Sequence, residues 1–400
     1  MTTKTARLLE LTDSAVYQQE FIVRYDYPVY FTEGVFHRDN PVFEHALSRR
    51  EPSKRHRFVA IIDSNVAASW PTLAHDIAGY AREHGDRMEL VGSPEIVPGG
   101  EQVKNDPSVL ARVQKLLNDA CIDRHSYALG VGGGAVLDMV GFAAATTHRG
   151  VRHIRVPTTV LAQNDSGVGV KNGINAFGKK NFLGSFAPPF AVLNDTSFLH
   201  TLHPRDRVSG MAEAVKVALI RDGLFFEWLE ANAEALSVFA PAATARLIRR
   251  CAELHMRQIA SGDAFETGLG RPLDFGHWSA HKLEALTGHE LRHGEAVAIG
   301  IALDTRYSVQ AGMLDAGEDE RVYRLLKKLG FYLWHPAMES RDPAGRRLLL
   351  DGIEEFREHL GGQLTLSMLR AIGRAEDVHS METDLILQAM SWLRRKEVSR

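Results

Sequence analysis

The stretch Tyr127-Ala128-Leu129-Gly130-Val131-Gly132-Gly133-Gly134-Ala135 passes from an apolar run, through three glycines, into an alanine-rich segment that continues to Thr146. Tyr127 to Val131 reads as a buried strand and Ala135 to Thr146 as a helix, so the glycines form a strand-to-helix turn. They satisfy a G-x-G-x-x-A pattern, a context in which backbone amides at a helix N-terminus cradle a pyrophosphate. The pattern departs from the usual dinucleotide fingerprint, which follows the first strand and has an acidic residue about 20 positions later. Here two strand–helix units come first, and no acid stands near residue 152. Asp63 and Asn65 could serve a ribose instead. A glycine turn used only for packing is the competing reading.

Upstream, after a β-rich segment Phe21 to Phe31, the apolar run Arg57 to Ile62 is followed by helical periodicity from Ala67 to Glu83 and a strand at Met88 to Val91. Asp106-Pro107 opens a helix, with aspartate as cap and proline in the first turn. Downstream, Arg152 to Val156 is the next strand. This alternation implies a largely parallel sheet with helices on its faces and a ligand beyond the carboxyl ends of the strands. The character changes near Pro188-Pro189, and beyond Ala191 to Asn194 almost everything reads as helix: Pro204 to Ile220, Leu224 to Ala235, Pro241 to Ala260, His277 to Thr287, Gly294 to Ala311, Glu318 to Leu329 and later segments to the C-terminus. The expected division is therefore an α/β domain over 1–190 and a helical domain over 191–400.

A chain of 400 residues, 44% hydrophobic and 24% charged, has room for two substantial cores. A net charge of −3 and a pI near 6.7 leave no electrostatic footprint for nucleic acid or an anionic membrane surface. Met1 to Glu20 has no signal-peptide core, and no run reaches the roughly 18 to 20 apolar residues of a spanning helix. A cytoplasmic protein is expected. Cys121 and Cys251 lack metal-ligand spacing and are expected to be buried thiols.

Val156-Pro157-Thr158-Thr159 leads into Gln163 to Gly173, and Gly178-Lys179-Lys180-Asn181 follows. Lysines, asparagines and backbone amides at this density suit a polyanion; a solvent-exposed hairpin is the alternative. Glu213 and Lys216 share a helical face at i, i+3, as a salt bridge or as one metal ligand with a neighbouring ammonium. In Leu273-Asp274-Phe275-Gly276-His277-Trp278-Ser279-Ala280-His281, the two histidines lie one helical turn apart, and His293-Gly294-Glu295 follows a short loop. Imidazoles so placed are either a polar helix face or part of a metal site that needs a third ligand.

Taken together, Gly132-Gly133-Gly134-x3-Asp138, Arg149-Gly150-Val151, Val156-Pro157-Thr158-Thr159, Asp165-x5-Lys171, Lys180-Asn181, Glu213-x2-Lys216, Phe275-Gly276-His277-x3-His281 and His293-Gly294-Glu295 resemble the sugar phosphate cyclases, the family of 3-dehydroquinate synthase. The resemblance runs from about Asp63 to Gly312. It implies an N-terminal Rossmann-like α/β domain, a C-terminal helical metal-binding domain, and a homodimer. It implies a divalent metal, zinc or cobalt, on Glu213, His277 and His293. NAD would contact Asp63, Asn65, Glu101, Lys104, Gly133, Gly134, Asp138, Thr158, Thr159 and Lys180. Arg149, Asp165, Lys171, Asn181, Lys216, Glu266, Arg271, Asp274 and His281 would contact substrate or move protons. The implied reaction recycles NAD: a ring hydroxyl is oxidised, phosphate is eliminated, the ketone is reduced, and the opened ring recloses as a carbocycle by aldol addition.

Three departures bear on substrate. Where dehydroquinate synthases carry an arginine before the histidine motif and a lysine upstream, this chain has Gly270 and Met256, with Arg257 and Arg271 one residue away. The family's asparagine is Asp274. Losing two cations and gaining an anion disfavours a carboxylated sugar. The segments Ser166 to Lys171, Phe186 to Pro189 and Arg271 to His277 resemble instead the 2-epi-5-epi-valiolone synthase branch, whereas His281 is the dehydroquinate-type residue. The mixture is similar to the cyclases of ebo-type gene clusters. The expected substrate is a seven-carbon ketose phosphate such as sedoheptulose 7-phosphate. Dehydroquinate synthase and a metal-dependent polyol dehydrogenase are the rivals.

Overall fold

The structure, a computed structural model, describes residues 19–261, 263–266, 272–359 and 362–398. Its first half is built on a parallel sheet. The strands are β1 (Val29–Thr32), β2 (His56–Asp63), β3 (Met88–Leu90), β4 (Glu95–Val97), β5 (Tyr127–Gly132), β6 (Arg152–Pro157) and, after the antiparallel hairpin of β7 (Lys171–Ala176) and β8 (Lys179–Phe186), β9 (Ala191–Asp195). The spatial order is β1-β9-β6-β5-β2-β3, with β4 also pairing β2. After β2 the chain builds outward through β3 and β4, then returns to β5 on the other side of β2. The order thus reverses between β2 and β5, where a crevice for ligand is expected at the strand ends.

Both faces of this sheet are covered. Phe58, Ala60, Leu129 and Ile154 pack on one side, and Val59, Ile61, Ala128 and Val140 on the other. That is why the strands read as near-continuous apolar runs rather than alternating ones. Asp106 caps the helix Pro107–Asp119 by accepting from Ser108 N, as its residue type predicts. β9 lies past the expected boundary at residue 190 yet pairs with β1 and β6, so the α/β unit extends beyond that boundary.

The remainder is mostly helical and holds one large apolar core. The expected helix Pro204 to Ile220 is two, Pro204–Ser209 and Met211–Arg221, broken where Gly210 presses on the backbone of Leu161 and Asn164 Nδ2 donates to Gly210 O at 2.8 Å. The hairpin Leu366–Ala371 with Arg374–Val378 interrupts the helical half and has no alternating signal in its sequence. Cys251 is buried as expected, but Cys121 is exposed in the turn after a helix, at a φ of 48°. No helix among the described residues is long and apolar enough to cross a membrane.

Candidate active site

The crevice between β2 and β5 gathers residues from several loops. The glycine turn follows β5, and the helix begins at Gly134, so its first amides point out of the sheet end. Asp63, at the end of β2, is buried and accepts from Asn65 N at 2.8 Å. Burial raises its pKa, and the amides of Asn65, Val66 and Gly133 oppose that rise. A side chain at Gly99 would overlap both Asp63 Oδ1 and Asn65 Nδ2, so the chain after β4 passes directly over them. That segment continues into Glu101–Lys104. Lys104 is buried, 2.8 Å from Asp138 Oδ2 and hydrogen-bonded to Asn181 Oδ1. Thr158 N donates to Gly132 O at 3.0 Å, and Thr159 stands beside Gly133. The Thr158 hydroxyl is buried and has no hydrogen-bond partner among the described residues. Residues from five separate segments thus meet at one end of the sheet: Asp63 and Asn65, Gly99 to Lys104, Gly132 to Asp138, Thr158 and Thr159, and Asn181.

The helical half supplies the second cluster. Glu213 comes from Met211–Arg221, His277 opens His277–Leu286, and His293 opens His293–Gln310. Three segments are held this close because glycine lets backbones touch. A Cβ at Gly294 would overlap Ser209 O, and one at Gly300 would overlap Gly276 O. Gly276 itself adopts a φ of 78°, which favours glycine. Asp304 fixes the turn before His277 by accepting from Gly276 N at 3.0 Å and Trp278 Nε1 at 2.9 Å. Burial carries its pKa to about 7 despite those donors.

Glu213 Oε1 lies 3.7 Å from His277 Nε2 and 3.6 Å from His293 Nε2. Ligands of a tetrahedral zinc, each about 2.0–2.1 Å from the ion, stand roughly 3.4 Å apart. The tautomers also fit. His277 Nδ1 is 3.1 Å from Phe275 O, and His293 Nδ1 is 3.2 Å from Glu284 Oε2. Donating from Nδ1 leaves each Nε2 lone pair for a cation. Glu213 is fully buried, and among the described residues neither of its oxygens has a partner of hydrogen-bonding geometry, although Lys216 Nζ lies against it. Burial pushes the Glu213 carboxyl up, but Lys216 and His293 outweigh it and hold it at about 2. Burial pulls His293 down, yet Glu213 and Glu284 carry it to about 9. His277 has no such support, and burial with Lys216 nearby drives it far below the usual range. An anionic carboxylate between two imidazoles suits a divalent cation. A second grouping, His281 with Glu284 and His293, also has its ligand atoms close, but it draws on Glu284, which Lys180 already engages at 3.2 Å.

The remaining candidates divide by place. Asp165 contacts His255 Nδ1 at 2.9 Å. Burial and Glu213 push its pKa up, but His255 and Lys216 more than offset them. Lys216 is raised against burial by Glu213, Asp165 and Asp274, which puts these four charges in one neighbourhood. His281 is exposed on the same helix, its ring 5.4 Å from that of His277. Lys171 is exposed and pairs with Glu266 at 2.5 Å. Asn181 sits on Lys104, with the cofactor group rather than beside Lys216. Arg149 is exposed past the far end of the 13-residue helix Gly134–Thr146, about 20 Å from the glycine turn. Arg271 lies outside the described residues.

Four contributors are missing from the expected set. Glu284 is at i+7 from His277 and i+3 from His281, so the helical period alone placed it on their face. His255 and Asp304 carried no local signal. Arg155, within the apolar β6, is fully buried and donates to Gly167 O at 3.1 Å, Gly169 O at 2.8 Å and Asn172 Oδ1 at 2.6 Å. It thereby holds the loop that bears Asp165 and Lys171.

Comparison with known proteins agrees with this geometry. Residues 95–209 match the 3-dehydroquinate synthase N-terminal family and residues 210–348 its C-terminal counterpart. The two meet at Gly210, where the helix breaks. Among solved structures, 2-epi-5-epi-valiolone synthase from Streptomyces hygroscopicus subsp. jinggangensis, with NAD+ and Zn2+ bound, is 28% identical with a TM-score of 0.83, over 95% of this chain and 100% of that one. A 2-deoxy-scyllo-inosose synthase complexed with carbaglucose-6-phosphate, NAD+ and Co2+ is 25% identical with a TM-score of 0.72, over 90% of this chain and 95% of that one. A probable glycerol dehydrogenase from Sinorhizobium meliloti, 17% identical with a TM-score of 0.60 over 93% of this chain and 98% of that one, shares the fold. With contiguous matches from 95 to 348, the chain belongs to the 3-dehydroquinate synthase family, and it is a sugar phosphate cyclase.

Proposed function

We propose that this cyclase converts a seven-carbon ketose phosphate such as sedoheptulose 7-phosphate to a cyclitol, releasing inorganic phosphate with no net change in NAD. The observation that carries this reading is the convergence of the His277 and His293 Nε2 atoms with the Glu213 carboxylate. Bound NAD would supply reversible hydride acceptance, and a zinc or cobalt ion on those three ligands would supply a Lewis acid for the ring hydroxyl.

The chain's own residues would do the rest. Asp63, Asn65, Glu101, Lys104, Asp138, Thr158, Thr159 and Lys180 would orient the dinucleotide, with its pyrophosphate on the amides of Gly133 and Gly134. Lys216 would hold the reacting hydroxyl by its ammonium, next to Glu213. Once that carbon is oxidised the neighbouring C–H is acidic, and the proton has acceptors near it in Asp165 and His281. Lys171 and Asn181 would steady the phosphate as it departs and neutralise its developing charge. His281, exposed at the helix face, suits proton transfer near neutral pH during ring opening and aldol closure. Arg149 stands too far from the turn to serve its own subunit, so a substrate role for it needs the second subunit of a cytoplasmic homodimer.

The departures in sequence favour a ketose without a carboxylate. Met256 packs with Tyr27, Val29 and Val168 in an apolar patch, and Asp274 adds negative charge near Lys216. His281 favours a second reading, dehydroquinate synthase, and Arg271 would then bind the carboxylate. Offering heptulose phosphates with and without a carboxylate to the zinc-loaded protein with NAD separates the two. Phosphate release from sedoheptulose 7-phosphate is expected. Release from the carboxylated heptulosonate alone would replace this substrate with the second.

A further inference from the structure

Glu284 belongs to neither ligand set, yet it touches both. Its side chain is 6% exposed. Oε1 lies 3.2 Å from Lys180 Nζ, and Oε2 lies 3.2 Å from His293 Nδ1. Lys180 is carried by the hairpin strand β8 of the α/β half, whereas Glu284 and His293 belong to helices of the other half. Lys180 shares its hairpin with Asn181, whose side chain reaches the buried Lys104. One carboxylate therefore joins the dinucleotide side of the crevice to the metal side.

We propose that Glu284 is a positioning residue that couples metal binding at Glu213, His277 and His293 to dinucleotide binding along Lys180. The inference rests on the cofactor placement given under Proposed function. Its physical basis is that each oxygen restrains a different partner. With Oε2 on Nδ1, the His293 ring is turned so that Nε2 faces Glu213 and His277. With Oε1 on Lys180, the hairpin is drawn toward the helical half and the ammonium is fixed at the crevice. A ligand that orders either partner fixes the carboxylate and lowers the ordering cost of the other site. Linkage then requires reciprocity: the factor by which zinc tightens NAD equals the factor by which NAD tightens zinc.

The test uses the full-length, metal-stripped protein. Zinc affinity is measured by competition with a chromogenic chelator, and NAD affinity by calorimetry, each with and without the other ligand. Wild type should show reciprocal tightening on the order of tenfold. Glu284→Gln, folded by circular dichroism, should lose about 10- to 100-fold in zinc affinity and abolish the tightening. Lys180→Met should abolish the tightening while keeping zinc affinity without NAD near wild type. It carries the test alone if the glutamine variant does not fold. Reciprocal tightening that survives in either folded variant overturns the proposal. So does a wild type that binds zinc and NAD independently, whereas a wild type that binds neither refutes the functional reading itself.

Discussion

On the sheet side of the crevice, Gly133, Gly134 and Thr158 lie on loops that leave β5 and β6, and backbone placement fixes them. On the helical side, Glu213, His277 and His293 come from three separate helices, brought together where Gly276, Gly294 and Gly300 let distant backbones touch. The first side is set by local turns, so a change there should move one loop. The second is set by long-range contacts, so a single change should disturb several ligands together.

The largest expected effect is on the helical side. His277→Ala removes a ligand outright, and zinc affinity should fall by more than the roughly 10- to 100-fold that a lost outer partner costs. NAD affinity without zinc should stay within a few-fold of wild type. An equal loss of both would mean that the two sides are one cooperative unit. Next is Gly99→Ala, which forces a Cβ onto Asp63 and Asn65. Crowding of this kind costs about 1–3 kcal/mol, so NAD should weaken by about 5- to 150-fold while zinc binding in the absence of NAD is unchanged. Unchanged NAD affinity would remove Asp63 and Asn65 from the cofactor site.

Sequence conveyed the two sides unequally, for the same reason. The glycine turn, the strands around it and the cap at Asp106 are short-range patterns, and the structure reproduces them within a residue or two. Read locally, His277 and His281 suggest an i, i+4 pair; the resemblance implies a metal on Glu213, His277 and His293, which form one of two groupings among the described residues whose ligand atoms lie close together. His281 lies on the rim. Glu284 is legible in the helical period, three residues after His281 and seven after His277. Asp304 and Arg155 were not legible, because a lone charged residue in an apolar run does not reveal which distant backbone it will satisfy. The boundary expected near residue 190 falls at the start of β9, whose pairing with β1 and β6 carries the sheet a few residues further.

A subtler effect sharpens the contrast. Asp304 titrates near 7 when folded and near 3.9 when unfolded. Its folded-state pKa is raised, so the native state binds the extra proton. Its stabilisation is full below about pH 4 and is lost as pH rises through about 7. Wild-type stability relative to Asp304→Asn should therefore fall by about 1 kcal/mol per pH unit between about pH 5 and 7 in denaturant titrations. Parallel pH profiles would show that Asp304 is not neutral in the fold. Smallest of all should be Lys171→Met, which loses an exposed ammonium. It should raise KM for the sugar phosphate several-fold while leaving zinc and NAD affinities unchanged, and a fall in either affinity would contradict its place at the rim.

A closed redox cycle around phosphate loss, run in one crevice, leaves its signature in two products. The most direct measurement follows inorganic phosphate and NADH together during many turnovers of sedoheptulose 7-phosphate by the zinc-loaded enzyme. Phosphate should accumulate in step with substrate consumed while NADH never exceeds the enzyme concentration. NADH rising in proportion to substrate, with phosphate retained on the product, would make the protein a dehydrogenase and contradict the account.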